Sequence, residues 1–146
     1  MEAINIITEV IIKTLSEDAT IQTLLDAVSQ ATCPVSTTSN FDNTVDKQIN
    51  VEYSRGTTLP YDKDVSDGSV NVHILIKDTI SDPINLANGI AVRVLELLDL
   101  AGTSLSTTNY IHWLQKIDDD WTHYNDIHFY EYTITFRWVL DENVPE

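Results

Sequence analysis

Ile127-His128-Phe129-Tyr130-Glu131-Tyr132-Thr133-Ile134-Thr135-Phe136-Arg137-Trp138-Val139-Leu140 alternates bulky and polar side chains along its length, the period-two signature of a long β-strand with one face in a core. His128, Tyr130, Tyr132, Ile134, Phe136, Trp138 and Leu140 fall on one face; Glu131, Thr133, Thr135 and Arg137 fall on the other. A strand of this length needs neighbours, and the chain before it supplies them. Residues 103 to 117 alternate as a strand, with Asp118-Asp119-Asp120 and Asn125-Asp126 bracketing a turn, so the two strands are expected to form a terminal hairpin. Upstream, Val70, Val72, Ile74 and Ile76 mark another strand, and Ile49, Val51 and Tyr53 a half-buried one.

The remaining periodicity is helical. Ile4, Ile7, Ile11 and Leu15 recur at spacings of three and four, and after a break at Ser16 and Asp18 a second, short helix carries Ile21, Leu24, Leu25 and Val28 on one face. Asp82-Pro83 is a helix start: Asp is expected to cap free N–H groups, and Pro suits the first helical position. Ile84, Ala87, Ala91, Val94 and Leu98 continue that third helix, with Gly102 placed to close it. Residues 31 to 46 read as loop, with room for short β-structure near Cys33 and Val35, and the stretch from Arg55 to Gly68 reads as a long exposed loop. The order predicts one α+β domain over residues 1–146: a mostly antiparallel four-stranded sheet with helices packed on one face.

Composition narrows function. With 42% hydrophobic residues and only four Gly and four Pro in 146, the chain can fold around its own core. Eight Lys plus Arg against 23 Asp plus Glu leave a formal charge of −15, which opposes binding to phosphate backbones or anionic membranes. The N-terminus lacks a cationic signal-peptide region and no apolar run approaches a membrane span, so a cytoplasmic product is expected. Cys33 is alone, which rules out an intrachain disulfide and a cysteine-built metal site.

Catalytic signatures are missing: there is no GxSxG, phosphate loop or dinucleotide-binding glycine pattern. Asp62, Asp64, Ser66 and Asp67-Gly68 imitate a calcium loop, but the Gly is one position late and His73 stands where a bidentate Glu belongs. His112, His123 and His128 can converge across a hairpin, without the spacing of a zinc site. No cofactor or metal is expected. What stands out is the aromatic content of residues 110 to 138, more than one side of a small sheet easily buries. Trp113, Trp121, Tyr124, Phe129 and Arg137 are therefore candidates for contact with another subunit, a contact that would also cover the final strand if it lies at an edge.

Several segments together carry a family resemblance. They are Ser16-Glu17-Asp18-Ala19-Thr20-Ile21, Pro60-Tyr61, the strand Val70-Asn71-Val72-His73-Ile74-Leu75-Ile76, the helix running from Leu86 to Leu98, and the closing strand from Asp126 to Arg137. In this order, from about Ile4 to Leu140, the chain resembles the tail terminator, or tail completion, proteins of long-tailed phages. The resemblance implies a virion protein, made in the host cytoplasm, that forms a ring, a hexamer in the family, on the finished tail tube. Such a ring stops tube polymerisation and offers its other face to the head-side connector or stopper protein. DNA would pass through without specific binding, and Asp62, Asp64 and Asp67 or Asp118, Asp119 and Asp120 are candidates for an acidic channel wall. Two alternatives stay open: another neck component, such as a head-completion adaptor or stopper, and a small ligand-binding or hydrolytic domain built on His112, His123 and His128.

Overall fold

The computed structural model describes residues 3–53, 57–59, 62–101, 105 and 110–141. Helices α1 (Ala3–Glu17) and α2 (Ala19–Leu24) come first, followed by strands β1 (Val35–Thr37), β2 (Lys47–Tyr53), β3 (Thr57–Leu59) and β4 (Asp62–Lys77). Helix α3 (Pro83–Leu98) and the hairpin β5 (Tyr110–Tyr124) and β6 (Phe129–Asp141) complete the chain. The sheet has six strands where four were expected. Five lie side by side in the order β1-β2-β4-β6-β5, and β3 pairs with the outer part of β4. All pairings are antiparallel except β1 with β2, which is parallel.

The helical face of the sheet is the apolar one. Val70, Val72, Ile74 and Ile76 of β4 and Ile134, Phe136, Trp138 and Leu140 of β6 are buried with Ile7, Ile11 and Leu15 of α1 and Ala87, Ile90, Ala91, Val94 and Leu98 of α3. Cross-strand partners share a face, so the register Ile74↔Tyr132, Val72↔Ile134 and Val70↔Phe136 aligns the two apolar stripes into one. Asp18 fastens the helices. Its carboxylate accepts from the Ile21 N–H at 3.0 Å, capping α2, and from Arg93 of α3 at 2.6 and 3.0 Å. The Arg93 hydrogen bond, aided by the Ile21 N–H and opposed by burial, holds Asp18 below the usual carboxylate range.

Several sequence expectations are corrected. Residues 57–59 and 62–68, expected to be loop, extend the sheet as β3 and the first half of β4, so the acidic alternation there is a strand's and not a solvated turn's. The run Asp118-Asp119-Asp120 lies inside β5, paired with Thr135, Ile134 and Thr133, and the hairpin turns only at 125–128. His128 belongs to that turn with φ 63°, so its side chain is 67% exposed and not on the aromatic face. β6 is internal, and the long edge strand is β5. The second helix stops before Val28 because Asp26 turns left-handed at φ 58°, leaving Val28 91% exposed. At α3, Asp82 is itself left-handed and makes no side-chain cap; its Oδ2 accepts from Asn85 Nδ2 at 2.7 Å. The left-handed residue beyond the end of α3 is Leu100, two before Gly102, which lies outside the described residues.

β2 was expected to be half buried, yet Gln48 and Asn50 are 3% and 2% exposed. The preceding segment folds over them. Gln48 Nε2 donates to the carbonyls of Asp42 (2.7 Å) and Val45 (3.3 Å), and its Oε1 accepts from the Asp42 N–H (3.2 Å). One side-chain amide thus satisfies the backbone of a loop that has no strand partner.

Candidate functional site

The face of the sheet opposite the helices is polar at its centre. Period-two alternation that buries Val72 and Ile74 sends Asn71 and His73 the other way, and the register sets Asn50 and Thr133 on either side of His73. His73 is the hub. Its Nε2 lies 2.9 Å from Glu52 Oε1, and its Nδ1 lies 3.0 Å from Thr133 Oγ1 and 3.4 Å from Glu131 Oε2. Glu131 Oε1 accepts from the Tyr124 hydroxyl (3.1 Å) and from Thr133 (3.2 Å); Asn71 donates to Glu52 (3.3 Å) and accepts from Thr135 (2.7 Å).

Electrostatics favour the charged form of each member of the row. Burial acts to neutralise His73, but its hydrogen bonds to Glu131 and Glu52 prevail and raise its pKa. Glu52 is lowered, first by its hydrogen bond from His73 and then by that from Asn71. In Glu131 burial again opposes ionisation, and the bonds from His73, Tyr124 and Thr133 outweigh it, so the carboxyl is lowered. The result is a carboxylate–imidazolium–carboxylate row across three strands, carrying one net negative charge when His73 is protonated.

An open groove of about 310 Å³ runs beside this row, with Phe41, Asn50, Glu52, His73, Tyr124 and Glu131 in its walls. Phe41 leans edge-on against Phe129, ring centroids 5.4 Å apart, and so fixes the groove's outer side. The Asn50 Nδ2 is buried with no hydrogen-bond partner.

The residues singled out in the sequence are dispersed. Asp118, Asp119 and Asp120 are all exposed on β5, but strand alternation divides them: Asp119 pairs with Lys116 (2.6 Å) on the side of Tyr132, whereas Asp118 and Asp120 align with Thr135 and Thr133 of the polar face. Burial, reinforced by Asp119, pushes the Tyr132 hydroxyl up to about 12. Asp67 pairs with Arg137 at 3.3 Å, so these two candidates meet each other. The side chains of Asp62, Asp64, Trp113 and His112 lie outside the described residues. Trp121 is 38% exposed and stacks on Tyr132 at 4.7 Å; Tyr124 is half-buried through its bond to Glu131. Phe129 is fully buried against Phe41, which withdraws it from any contact surface of the folded chain.

His123 and His128 do converge, both on Asp78 Oδ2, at 3.0 and 3.5 Å. His123 also stacks on Tyr130 at 4.2 Å. Among the described residues no group of three His, Cys, Asp or Glu side chains is arranged to hold a metal ion. Burial raises the Cys33 thiol, opposite to the activation a nucleophile needs. No described helix is long and apolar enough to cross a membrane. The row on His73 escaped the sequence reading. Its signal was present as two polar stripes at period two, Asn71-His73 and Glu131-Thr133-Thr135, but only strand order reveals that they are neighbours.

No protein-family model matches the chain, and no curated protein sequence is similar to it. A solved structure is. The chain superposes on a protein chain in the virion of a native gene transfer agent particle with a TM-score of 0.69, over 97% of this chain and 99% of that one, at 12% sequence identity. The two share a fold from end to end.

Proposed function

We propose that this protein is a non-enzymatic structural subunit of a virion, and within the virion a tail terminator: a ring that caps the tail tube, halts its growth and presents the tail-side surface for head joining. The observation that carries the reading is the fold shared with a protein chain of a virion particle, which takes in nearly the whole of both chains. The charge of −15 supports it, since a subunit that surrounds passing DNA must not adhere to it. The long edge strand β5, with Ile117 56% and Trp121 38% exposed, supports association through that side. In this reading the partners are further copies of the chain, six in a ring as the resemblance to the tail terminator family implies, with the tail tube protein on one face and the head-side connector or stopper on the other. The channel wall is drawn from Asp118, Asp119 and Asp120 or from Asp62, Asp64 and Asp67.

Light scattering over a concentration series, followed by negative-stain images of the protein mixed with purified tail tubes and, separately, with DNA-filled heads, tests this reading. Rings in solution, or rings formed only at tube ends, are the expected result. Binding to heads and not to tubes would reassign the protein to a head-completion role, and a monomer that ignores both would overturn the virion reading.

A further inference from the structure

We propose that the groove beside His73 receives a basic side chain, Arg or Lys, carried on an extended segment of a partner protein. Four observations specify that ligand. First, Glu52 and Glu131 stand in the wall, both bonded to one imidazole, and among the described residues no Lys or Arg lines the groove, so its surface is negative and fits a cation. Second, Phe41 and Tyr124 line the same space and offer the aromatic surface on which a guanidinium packs. Third, the Asn50 side chain is 2% exposed and its Nδ2 donates to nothing. A buried amide donor without an acceptor costs free energy, and a peptide carbonyl entering the groove with the basic side chain would satisfy it. Fourth, both ring nitrogens of His73 are already engaged, by Glu52 on one side and by Thr133 and Glu131 on the other, so the imidazole is not available to ligate a metal.

A cation plus a carbonyl is the chemistry of a basic residue in a polypeptide. A second copy of this chain is poorly matched to it: its net charge of −15 opposes its approach to a negative groove, and of its eight basic residues Lys47, Lys77, Arg93, Lys116 and Arg137 are already engaged in ion pairs of their own. The occupant is therefore a different, more basic protein. That it is another virion component rests on the function proposed above; the groove's preference for a cation does not.

The probe is acetyl-Gly-Gly-Arg-Gly-Gly-amide, with the peptide carrying citrulline in place of Arg as the uncharged isostere, titrated into labelled protein and followed by NMR. Saturable shifts of the Asn50 side-chain amide and the His73 ring are expected with the Arg peptide and not with the citrulline peptide. Removing one carboxylate, Glu52→Gln, should weaken binding about tenfold, the scale of one charge-assisted hydrogen bond. Binding should also tighten as pH rises and His73 loses its proton, because Glu52, Glu131 and Tyr124 then face the ligand without a competing cation. Equal response to both peptides, or no response at millimolar Arg peptide, overturns the proposal in the wild-type protein, whatever the variant does. Asn50 shifts that appear on concentrating the protein alone, without peptide, would also overturn it by making a second copy the occupant. Tail-tube binding that persists while the peptide fails would sink only the groove, leaving the virion reading intact.

Discussion

His73 couples the polar face of the sheet to pH. Its raised pKa means that its contribution to stability is fully present below the ordinary histidine value of 6.5 and is lost as pH rises through the folded-state value. Glu52 and Glu131 are lowered, so theirs is fully present above the ordinary value of 4.5 and is lost as pH falls through the folded-state values. The row is strongest between those two ordinary values. Urea midpoints for wild type and His73→Gln across this range should show the wild-type decline above pH 6.5 flattened in the variant; an unchanged slope would remove His73 as its source. Trp138 is a different kind of residue, fully buried, with an indole N–H that has no partner. Trp138→Ala should cost about 3–5 kcal/mol in chemical denaturation, as large core truncations do. Trp138→Phe should cost much less, because no hydrogen bond is broken. The core role of Trp138 was legible from its place in the alternating stretch. The role of His73 was not, because a polar residue between apolar ones reads as solvent-facing until its neighbours are known.

Helix α3 was legible as an element because its buried positions obey helical spacing, and its ends were not, because left-handed Asp82 and Leu100 occupy places where sequence favours a cap or a Gly. Gly89 interrupts it for no visible packing reason: a Cβ there meets nothing within 4 Å. Gly89→Ala should raise unfolding free energy by about 0.5–1 kcal/mol in thermal or urea melts, and destabilisation would indicate a contact the monomer lacks. β5 was legible as a strand but misplaced. Asp118, Asp119 and Asp120 resemble turn residues by composition, yet the partnership with β6 carries them into the sheet, where tertiary pairing overrides local preference. On an exposed edge strand these carboxylates repel a second β5 edge, so that association through this side sets β5 against a different surface of the next subunit, as head-to-tail contacts in a ring do. The triple change to Asn should therefore leave the circular dichroism of the fold intact while increasing self-association, measured by sedimentation. If they also line the proposed channel, DNA ejection or retention by assembled particles should change as well; unchanged ejection would exclude them from the wall.

At the scale of the molecule, sequence patterning foresaw an α+β fold with a mostly antiparallel sheet but undercounted its strands. β1 is three residues long and parallel to β2, too short for any periodic signal, and the outer part of β4, Asp62 to Gly68, has the polar and Gly composition of a loop although it pairs with β3. The excess of 23 acidic over eight basic residues acts on the whole particle as self-repulsion. Ring formation should strengthen when salt is raised from about 0.01 M to about 1 M, which shortens the screening length from about 30 Å to about 3 Å. Weight-average mass against salt concentration measures this, and a ring that dissociates with salt would point to ion pairs as its principal contact.

The position of β6 between β4 and β5 bears on synthesis. A ribosome delivers strands in chain order, so β6 emerges after every strand it must join. Until then the inner edge of β4 and the whole of β5 have no partner, and the nascent protein exposes two long strand edges while its helices and β1, β2 and β4 can already collapse. Closure of the sheet is thus a late insertion, and ribosome-bound chains stalled before Phe129 are the species most in need of a chaperone.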